Sequence, residues 1–422
     1  MVKQLDRVAV NGRRGLMGAR ARFMSARSEV ARKALVVAPQ PFFTPRGTPL
    51  SVYYRTLVTA EQGVLIDLLT YGEGEDVDIP GVRIVRIPRF GFLGPVPVGP
   101  SPTKLFLDLW LVLWTIGLLL RHRYDFVHVH EEAAFWCRFL KPLFGFKLAY
   151  DMHSSLTQQL ANFHFTNSSV LTKVFSLLEK SALAHSDAVI AICPDLETYA
   201  LAQGVSTDRL FLIENSIFEN VRLANRAPTP LALTEETPVV APAVPTIVYA
   251  GTFEPYQGLD LLLRAFARVR RQRPDVHLLL IGGTPEQVIS MRELAEQQGV
   301  AAACTFTGRL PKERARRYLE EAVVLVSPRV EGTNTPLKIY EQLASGKPLV
   351  ATRIYSHTQV LTDEVCFLVE PEADAFAEGL LEALNAPVES RRRAQNARRL
   401  YETAYARHCY EDKMRRFLEV LR

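Results

Sequence analysis

Val330–Thr352, VEGTNTPLKIYEQLASGKPLVAT, decides how this chain reads. Thr335 is a preferred N-cap type, and Pro336 suits the first helical position, where its missing N–H costs nothing. Gly346 just past the last turn and Pro348 two residues later stop the helix. The spacing predicts a helix from Pro336 to Ser345 and a short strand from Pro348 to Thr352. Lys338 and Glu341 are three apart and share one helix face. A helix start of this kind offers free backbone N–H groups and the positive end of a dipole, which suits phosphate. Lys338 adds a full charge there, and Glu341, one turn further in, can accept hydrogen bonds from sugar hydroxyls. The plainer reading of the same spacing is a capped surface helix with an intrahelical ion pair.

Outward from this stretch, apolar runs and helical segments alternate twice. Ala34–Ala38 reads as a strand, Pro39–Pro49 as a Pro- and Gly-rich loop, Leu50–Gln62 as a helix and Val64–Thr70 as a second strand. Strand, glycine loop and helix in succession open a doubly wound α/β domain, whose ligands bind beyond the C-terminal strand ends. Gly47 lies at that edge, as do His130 after the strand Phe126–His130 and His153 after Lys147–Tyr150. His130 reads as a satisfied residue at a strand end. Glu219–Pro245 turns abruptly rich in Pro, Ala, Thr and Glu, and reads as an interdomain linker. From Thr246–Gly251 the alternation resumes through Val323–Ser327, so residues 246–387 form a second doubly wound domain. Residues 34–218 form the first, and residues 388–422 read as a basic helical end.

The segment from Glu341, EQLASGKPLVA, resembles the donor-binding segment of retaining glycosyltransferases with the GT-B fold, the group 1 or family 4-like enzymes, which carry two glutamates eight apart and then Ala-x-Gly-x-Pro-Val-Val-Ala. The resemblance implies two Rossmann-like domains facing across a cleft, with the C-terminal helix crossing back to the first domain. It implies that Glu341 holds the ribose of a UDP- or GDP-sugar, and that amides around Pro336 and Leu337 hold diphosphate and sugar. Asn334 and Thr335 would orient the sugar. The Pro336 helix start and Lys338 would stabilise the departing diphosphate, and His153 would line the opposite wall, making Lys338 and His153 the candidate catalytic pair. Gly47, Gly251 and Thr252 become candidates for donor contact in the first loop of each domain. The implied reaction is metal-independent front-face displacement to a saccharide or lipid-linked acceptor, in envelope polysaccharide or glycolipid synthesis, with the nucleotide-sugar as substrate and no cofactor.

Two departures stand against the family pattern. The first glutamate falls on Thr333, with Glu331 near enough in sequence to substitute. The loop that relatives write Gly-Arg-x-x-x-x-Lys-Gly reads Gly251-Thr252-Phe253-Glu254-Pro255-Tyr256-Gln257-Gly258, so both diphosphate-holding cations are replaced. Charge-assisted contacts are roughly twice as strong as neutral ones. Either Lys338, Arg309 and Arg329 supply the charge from other loops, or the ligand is less anionic, or the site is degenerate, as it would be in a non-catalytic GT-B partner or scaffold.

At 422 residues, 48% hydrophobic and 23% charged, composition is that of ordinary globular domains. A net charge of +5 does not point to nucleic acid. Five scattered cysteines, without C-x-x-C or zinc-ligand spacing, argue for buried thiols in a reducing, cytoplasmic setting. Met1–Lys33 holds nine Lys or Arg against Asp6 and Glu29, with no apolar core of signal-peptide length; it reads as an extension, or as a basic arm for anionic lipid. Leu105–Leu120, LFLDLWLVLWTIGLLL, is shorter than the roughly 20 residues that span a bilayer. It reads as a buried helix, with peripheral membrane contact at the inner face of the plasma membrane as the alternative. Asp76-Val77-Asp78, although of Asp-x-Asp form, lies in the polar run GEGEDVDIPG and reads as a solvated turn rather than a metal site.

Overall fold

The computed structural model describes residues 31–44, 47–94, 101–155, 169–215 and 244–422, together with Val96 and Phe218. Most of the strand runs, such as ALVVA, AVIA, HLLLI and VLVS, are apolar on both faces, the pattern of strands buried in parallel sheets. The first sheet contains β1 (Lys33–Ala38), β2 (Leu65–Thr70), β3 (Val82–Arg86), β4 (Phe126–His130), β5 (Lys147–Met152), β6 (Ala188–Ala191) and β7 (Leu210–Leu212). Its order is β3-β2-β1-β4-β5-β6-β7, with every pairing parallel. Helices α1 (Gly47–Glu61), α2 (Pro102–Arg121), α3 (Ala133–Phe144), α4 (Ser169–His185) and α5 (Pro194–Ala202) cover it.

The second sheet contains β8 (Thr246–Ala250), β9 (His277–Ile281), β10 (Cys304–Gly308), β11 (Val324–Ser327), β12 (Leu349–Thr352) and β13 (Phe367–Val369). Its order is β10-β9-β8-β11-β12-β13, again parallel throughout. Its helices are α6 (Leu259–Gln272), α7 (Pro285–Gln297), α8 (Lys312–Glu321), α9 (Leu337–Ser345), α10 (Tyr355–Thr358), α11 (Ala373–Asn385) and α12 (Pro387–Leu400). Strand order reverses beside β1 and β8, and at such switch points the strand ends open a crevice for ligands. Two Rossmann-like domains are thus present.

The basic C-terminal segment is not one helix. After α12, Tyr401–Tyr405 forms a π turn, and α13 (Arg407–Val420) leaves for the first domain. Tyr410, Met414, Phe417, Leu418 and Leu421 join the apolar core on one face of the first sheet. Arg32 binds the backbone oxygens of Leu418 and Leu421, and Lys33 opens β1, so the end of the expected basic extension belongs to the fold. Residues 1–30 of that extension and residues 219–243 of the expected linker lie outside the described residues. So does most of the second half of the Gly91–Pro102 loop, which begins with a short 3-10 turn at Gly91–Leu93. Asp76 is tied down by Arg86 at 2.9 Å, which holds the Asp-x-Asp turn against the first sheet.

The apolar helix α2 departs from its buried reading. Leu107, Leu111, Thr115, Leu118 and Leu119 face the sheet, a stripe at helical spacing. Leu105, Leu109, Leu113 and Leu120 are 61%, 59%, 51% and 73% exposed. The helix is apolar all round but covered on one side only, where it meets β2 and α3.

Candidate donor site and histidine cluster

Helix α9 begins one residue later than its sequence predicts. Pro336 has extended angles (φ −66°, ψ 136°) and occupies the cap position, and the Thr335 hydroxyl does not cap the helix. The residue before a proline is held away from the helical region, so Thr335 and Pro336 continue the loop. The Leu337 and Lys338 amides at the start of α9 lack intrahelical partners, while the Ile339 amide donates to the Pro336 carbonyl at 3.0 Å. Gly346 closes the helix in the left-handed region (φ 63°), as its position required.

The intrahelical Lys338–Glu341 ion pair of the plainer reading does not form. Lys338 Nζ donates to Gln257 Oε1 at 2.8 Å and lies 4.5 Å from the centre of the Tyr249 ring. Glu341 faces Lys312 of α8 at 3.9 Å, and burial raises its pKa against that cation. Burial lowers the Lys338 pKa to about 7, and the neighbouring Arg329 guanidinium acts in the same direction. Arg329 is itself desolvated and lies 5.2 Å from the centre of the Tyr256 ring. Among the described residues, neither cation has a carboxylate partner. Two desolvated cations beside a helix start, without a counter-ion, make a site that favours an anion.

The glycines explain how the loops close on these cations. Gly258 has φ 69°, and a Cβ there would lie 2.1 Å from the Pro328 carbonyl oxygen, so the first loop of the second domain packs onto the Pro328–Arg329 segment. Gly332 has φ 127°, and a Cβ there would lie 2.0 Å from Arg329 Nη2. Gln257, which replaces the family lysine, therefore acts as the acceptor that holds Lys338 in that lysine's neighbourhood. This compensation is legible only once the loops are in contact.

The remaining predicted donor residues are distributed unevenly. Asn334 bridges the domains: its amide donates to the His153 carbonyl at 3.0 Å and its oxygen accepts from Cys193 Sγ at 3.7 Å. Thr333 is exposed and gives its carbonyl to Gln359, whose side-chain oxygen accepts from the Asp195 amide. Glu331 is exposed, and its carbonyl accepts from Arg329 Nε at 2.5 Å. Gly251 packs against Tyr249, whose hydroxyl donates to the Thr252 carbonyl at 2.6 Å. Gly47 is not a loop residue but the first of α1, and a Cβ there would meet nothing within 4 Å. Its freedom from a side chain is therefore not required by packing.

On the first domain, His153 belongs to a cluster that local sequence did not announce. His130 Nδ1 and His153 Nε2 are 2.9 Å apart, and the His128 and His130 rings stack at 4.8 Å. Asp151 lies 3.4 Å from His128, 3.6 Å from His130 and 3.6 Å from His153. Arg55 Nε donates to Asp151 Oδ2 at 2.8 Å, and Arg55 Nη1 donates to the Tyr410 hydroxyl at 2.8 Å. Burial alone would raise the Asp151 pKa, but Arg55 and the histidines hold it well below the usual range. Burial also lowers His130 strongly and His153 to about 4, so both rings are neutral near pH 7. His130 is therefore more than a satisfied strand end.

Ligand atoms of His128, His130 and Asp151 lie within 4.8 Å of one another. Arg55 already occupies the Asp151 carboxylate and would repel a cation at this spot, so the set fits a neutral hydrogen-bonded cluster better than a metal centre. A separate cavity of about 840 Å³ lies between the C-terminal ends of α3 and α4. Its cations are engaged, Lys141 with Asp187 and Arg209 with the carbonyls of Leu183, Ala184 and Ser186, and it lies at the strand-start edge.

Fold and site together define a two-domain GT-B chain with an anion-favouring helix start in its second domain. Residues 238–400 match the family described as "Glycosyl transferases group 1", and residues 54–216 match the "Glycosyl transferase 4-like domain". The chain belongs to the group 1 glycosyltransferases and is a transferase. It is 26% identical over 335 residues to the D-inositol 3-phosphate glycosyltransferase of Saccharomonospora viridis, covering 75% of this chain and 75% of that one. It is 24% identical over 365 residues to the phosphatidyl-myo-inositol mannosyltransferase of Mycobacterium tuberculosis, covering 83% of this chain and 86% of that one. Anabaena HepE, solved in complex with UDP, superposes with a TM-score of 0.68 at 15% identity, over 92% of this chain and 99% of that one.

Proposed function

We propose that this enzyme moves a sugar from a nucleoside diphosphate sugar to a lipid-linked or saccharide acceptor, with retention and without a metal ion. The observation that carries this reading is the pair Lys338 and Arg329, desolvated at the start of α9 with no acidic partner among the described residues. A diphosphate would supply the missing negative charge, and the first amides of α9 would bind its oxygens. Glu341 would accept the ribose hydroxyls. In the transfer, the bond from the anomeric carbon to the phosphate oxygen breaks, and the acceptor oxygen bonds that carbon on the same face. The acceptor proton passes to the departing phosphate. Lys338 and the helix start would stabilise the charge that develops on that phosphate, the effect that usually dominates such catalysis.

A thermal-shift titration with UDP, GDP and ADP tests this reading. A nucleotide at about 100 times its Kd adds roughly 2.7 kcal/mol to the folded state, a readily measured shift. One nucleotide is expected to stabilise the wild type and to lose most of that effect in Glu341→Ala. No shift with any nucleotide at millimolar concentration would remove the donor site.

The acceptor reading brings a membrane with it. On the first domain the exposed leucines of α2 stand with Phe92, Phe139, Leu143 and Leu177 among the exposed large apolar side chains, and Arg121 and Arg123 follow α2 in the chain. At 20 residues α2 has the length and composition of a membrane span, but its buried stripe anchors it to the sheet. We read its exposed face as lying on anionic lipid, on the cytoplasmic side, where lipid-linked acceptors are presented. Leu109→Asp with Leu113→Asp is expected to abolish co-sedimentation with phosphatidylglycerol vesicles and leave the melting temperature unchanged. Equal sedimentation of variant and wild type would exclude this face.

A further inference from the structure

His357 of α10 is fully buried between the C-terminal ends of β11 and β12, with Ser327 on one side and Thr352 on the other. Its two ring nitrogens have unlike partners, and these fix the tautomer. Nδ1 lies 2.9 Å from the Thr352 carbonyl oxygen, which can only accept a hydrogen bond, so Nδ1 carries the hydrogen. The Thr352 hydroxyl, 3.2 Å from the same nitrogen, requires the same arrangement, because its own hydrogen goes to the Arg329 carbonyl. Burial lowers the His357 pKa to about 4 against the Thr352 contact, and Lys338 and Arg329 act in the same direction as burial. The ring is therefore neutral near pH 7 and Nε2 is bare, so the Ser327 hydroxyl donates to it at 3.0 Å.

The segment these bonds hold is the one that carries Arg329. Ser327 is held by His357, the Arg329 carbonyl by the Thr352 hydroxyl, and the Val330 amide by the Tyr256 carbonyl at 2.9 Å. The guanidinium donates through Nε to the Glu331 carbonyl and through Nη1 to the Asn334 carbonyl at 3.4 Å, which leaves donors for an anion. We propose that His357 is a positioning residue for the donor site: its Nδ1–H tautomer fixes Thr352 and Ser327, and these hold the backbone of Arg329 so that the guanidinium meets the donor diphosphate. The ring itself is 0% exposed, so it acts through these neighbours rather than by contact. Helix α10 also reaches the first domain, where Tyr355 donates to Asp195 Oδ1 at 2.7 Å, so the histidine stands between the domain contact and the cation. This inference rests on the donor-site reading for what Arg329 binds; the tautomer is independent of it.

The test combines two measurements on the full chain. Nitrogen-15 histidine spectra, assigned with His357→Asn, should show His357 as a single neutral Nδ1–H tautomer at pH 7. Titration with UDP, GDP and ADP selects the nucleotide that the wild type binds. Its affinity should fall about tenfold in Thr352→Val and in His357→Phe, the order of loss expected when a binding group is displaced. Thr352→Ser keeps the hydroxyl and should recover most of that loss. In an Arg329→Met background, Thr352→Val should add no further loss, because residues that act through one group are not additive. If His357→Phe fails to fold, Thr352→Val still decides, since valine keeps the shape of threonine. Equal losses in both backgrounds would mark a merely structural role and overturn the proposal. An Nε2–H tautomer, or wild-type affinity in Thr352→Val, overturns this inference alone. A wild type that binds none of the three nucleotides overturns the donor-site reading, and the role of Arg329 falls with it.

Discussion

Replacing Lys338 with methionine is expected to lower kcat on the order of 10³-fold, while the ligand-free protein melts at the wild-type temperature or above it. Methionine keeps the length and apolar body of the side chain but removes the charge. In the empty site that charge is a cost: burial and Arg329 bring the Lys338 pKa down to about 7. An unfolded lysine titrates at roughly 10.4, so between these values the unfolded chain holds a proton that the native chain gives up. Native stability therefore rises with pH across this window, the opposite of a lysine that gains a partner. A bound diphosphate reverses the preference by raising the Lys338 pKa. Nucleotide binding above pH 7 is then expected to take up a proton and to weaken by up to about tenfold per pH unit. Calorimetry in two buffers of different ionisation enthalpy measures the uptake directly. A variant within tenfold of wild-type kcat, or binding with no proton uptake at pH 8, would show that the diphosphate lies elsewhere.

The halves of this site differ in how far the sequence reveals them. The parallel sheets are legible because doubly buried strands are apolar runs, and α9 is legible from Pro336 and Gly346 alone. Its exact start is not, because Thr335 and Pro336 continue a loop wrapped around Arg329, a tertiary constraint on a local motif. The loss of both family cations at Thr252 and Gln257 looks damaging in one dimension. In three, Lys338 crosses to Gln257 from a segment 81 residues away. The same holds for Arg55, which is 96 residues from Asp151 and 355 from Tyr410. No periodicity or motif marks an arginine in the middle of an amphipathic helix as the counter-ion of a histidine cluster. For α2 the sequence states only that all faces are apolar; which of them is covered depends on where β2 and α3 lie.

Arg55→Met is expected to destabilise the first domain by about 3–5 kcal/mol, the usual result of leaving one member of a buried ion pair unpaired. Arg55 and Asp151 are 1% and 0% exposed, so water cannot take over the lost contact. In the wild type, Asp151 has a depressed pKa and stabilises the fold above the unfolded carboxylate value, losing that contribution only in acid. Without Arg55 the sign reverses. Burial, no longer opposed by the guanidinium, raises the Asp151 pKa above its unfolded value. The destabilisation should then be largest at pH 8 and shrink toward pH 5, as the carboxyl group or a neighbouring histidine takes up a proton. Chemical denaturation at the two pH values reads this difference. The double variant Arg55→Met/Asp151→Leu removes both charges and should recover most of the lost stability, since apolar replacement of a buried pair is often neutral. Its kcat should stay low, because the histidine rings have lost the carboxylate that faces them. Recovery of kcat along with stability would mean that the pair serves packing alone, and that His153 finds its orientation without it.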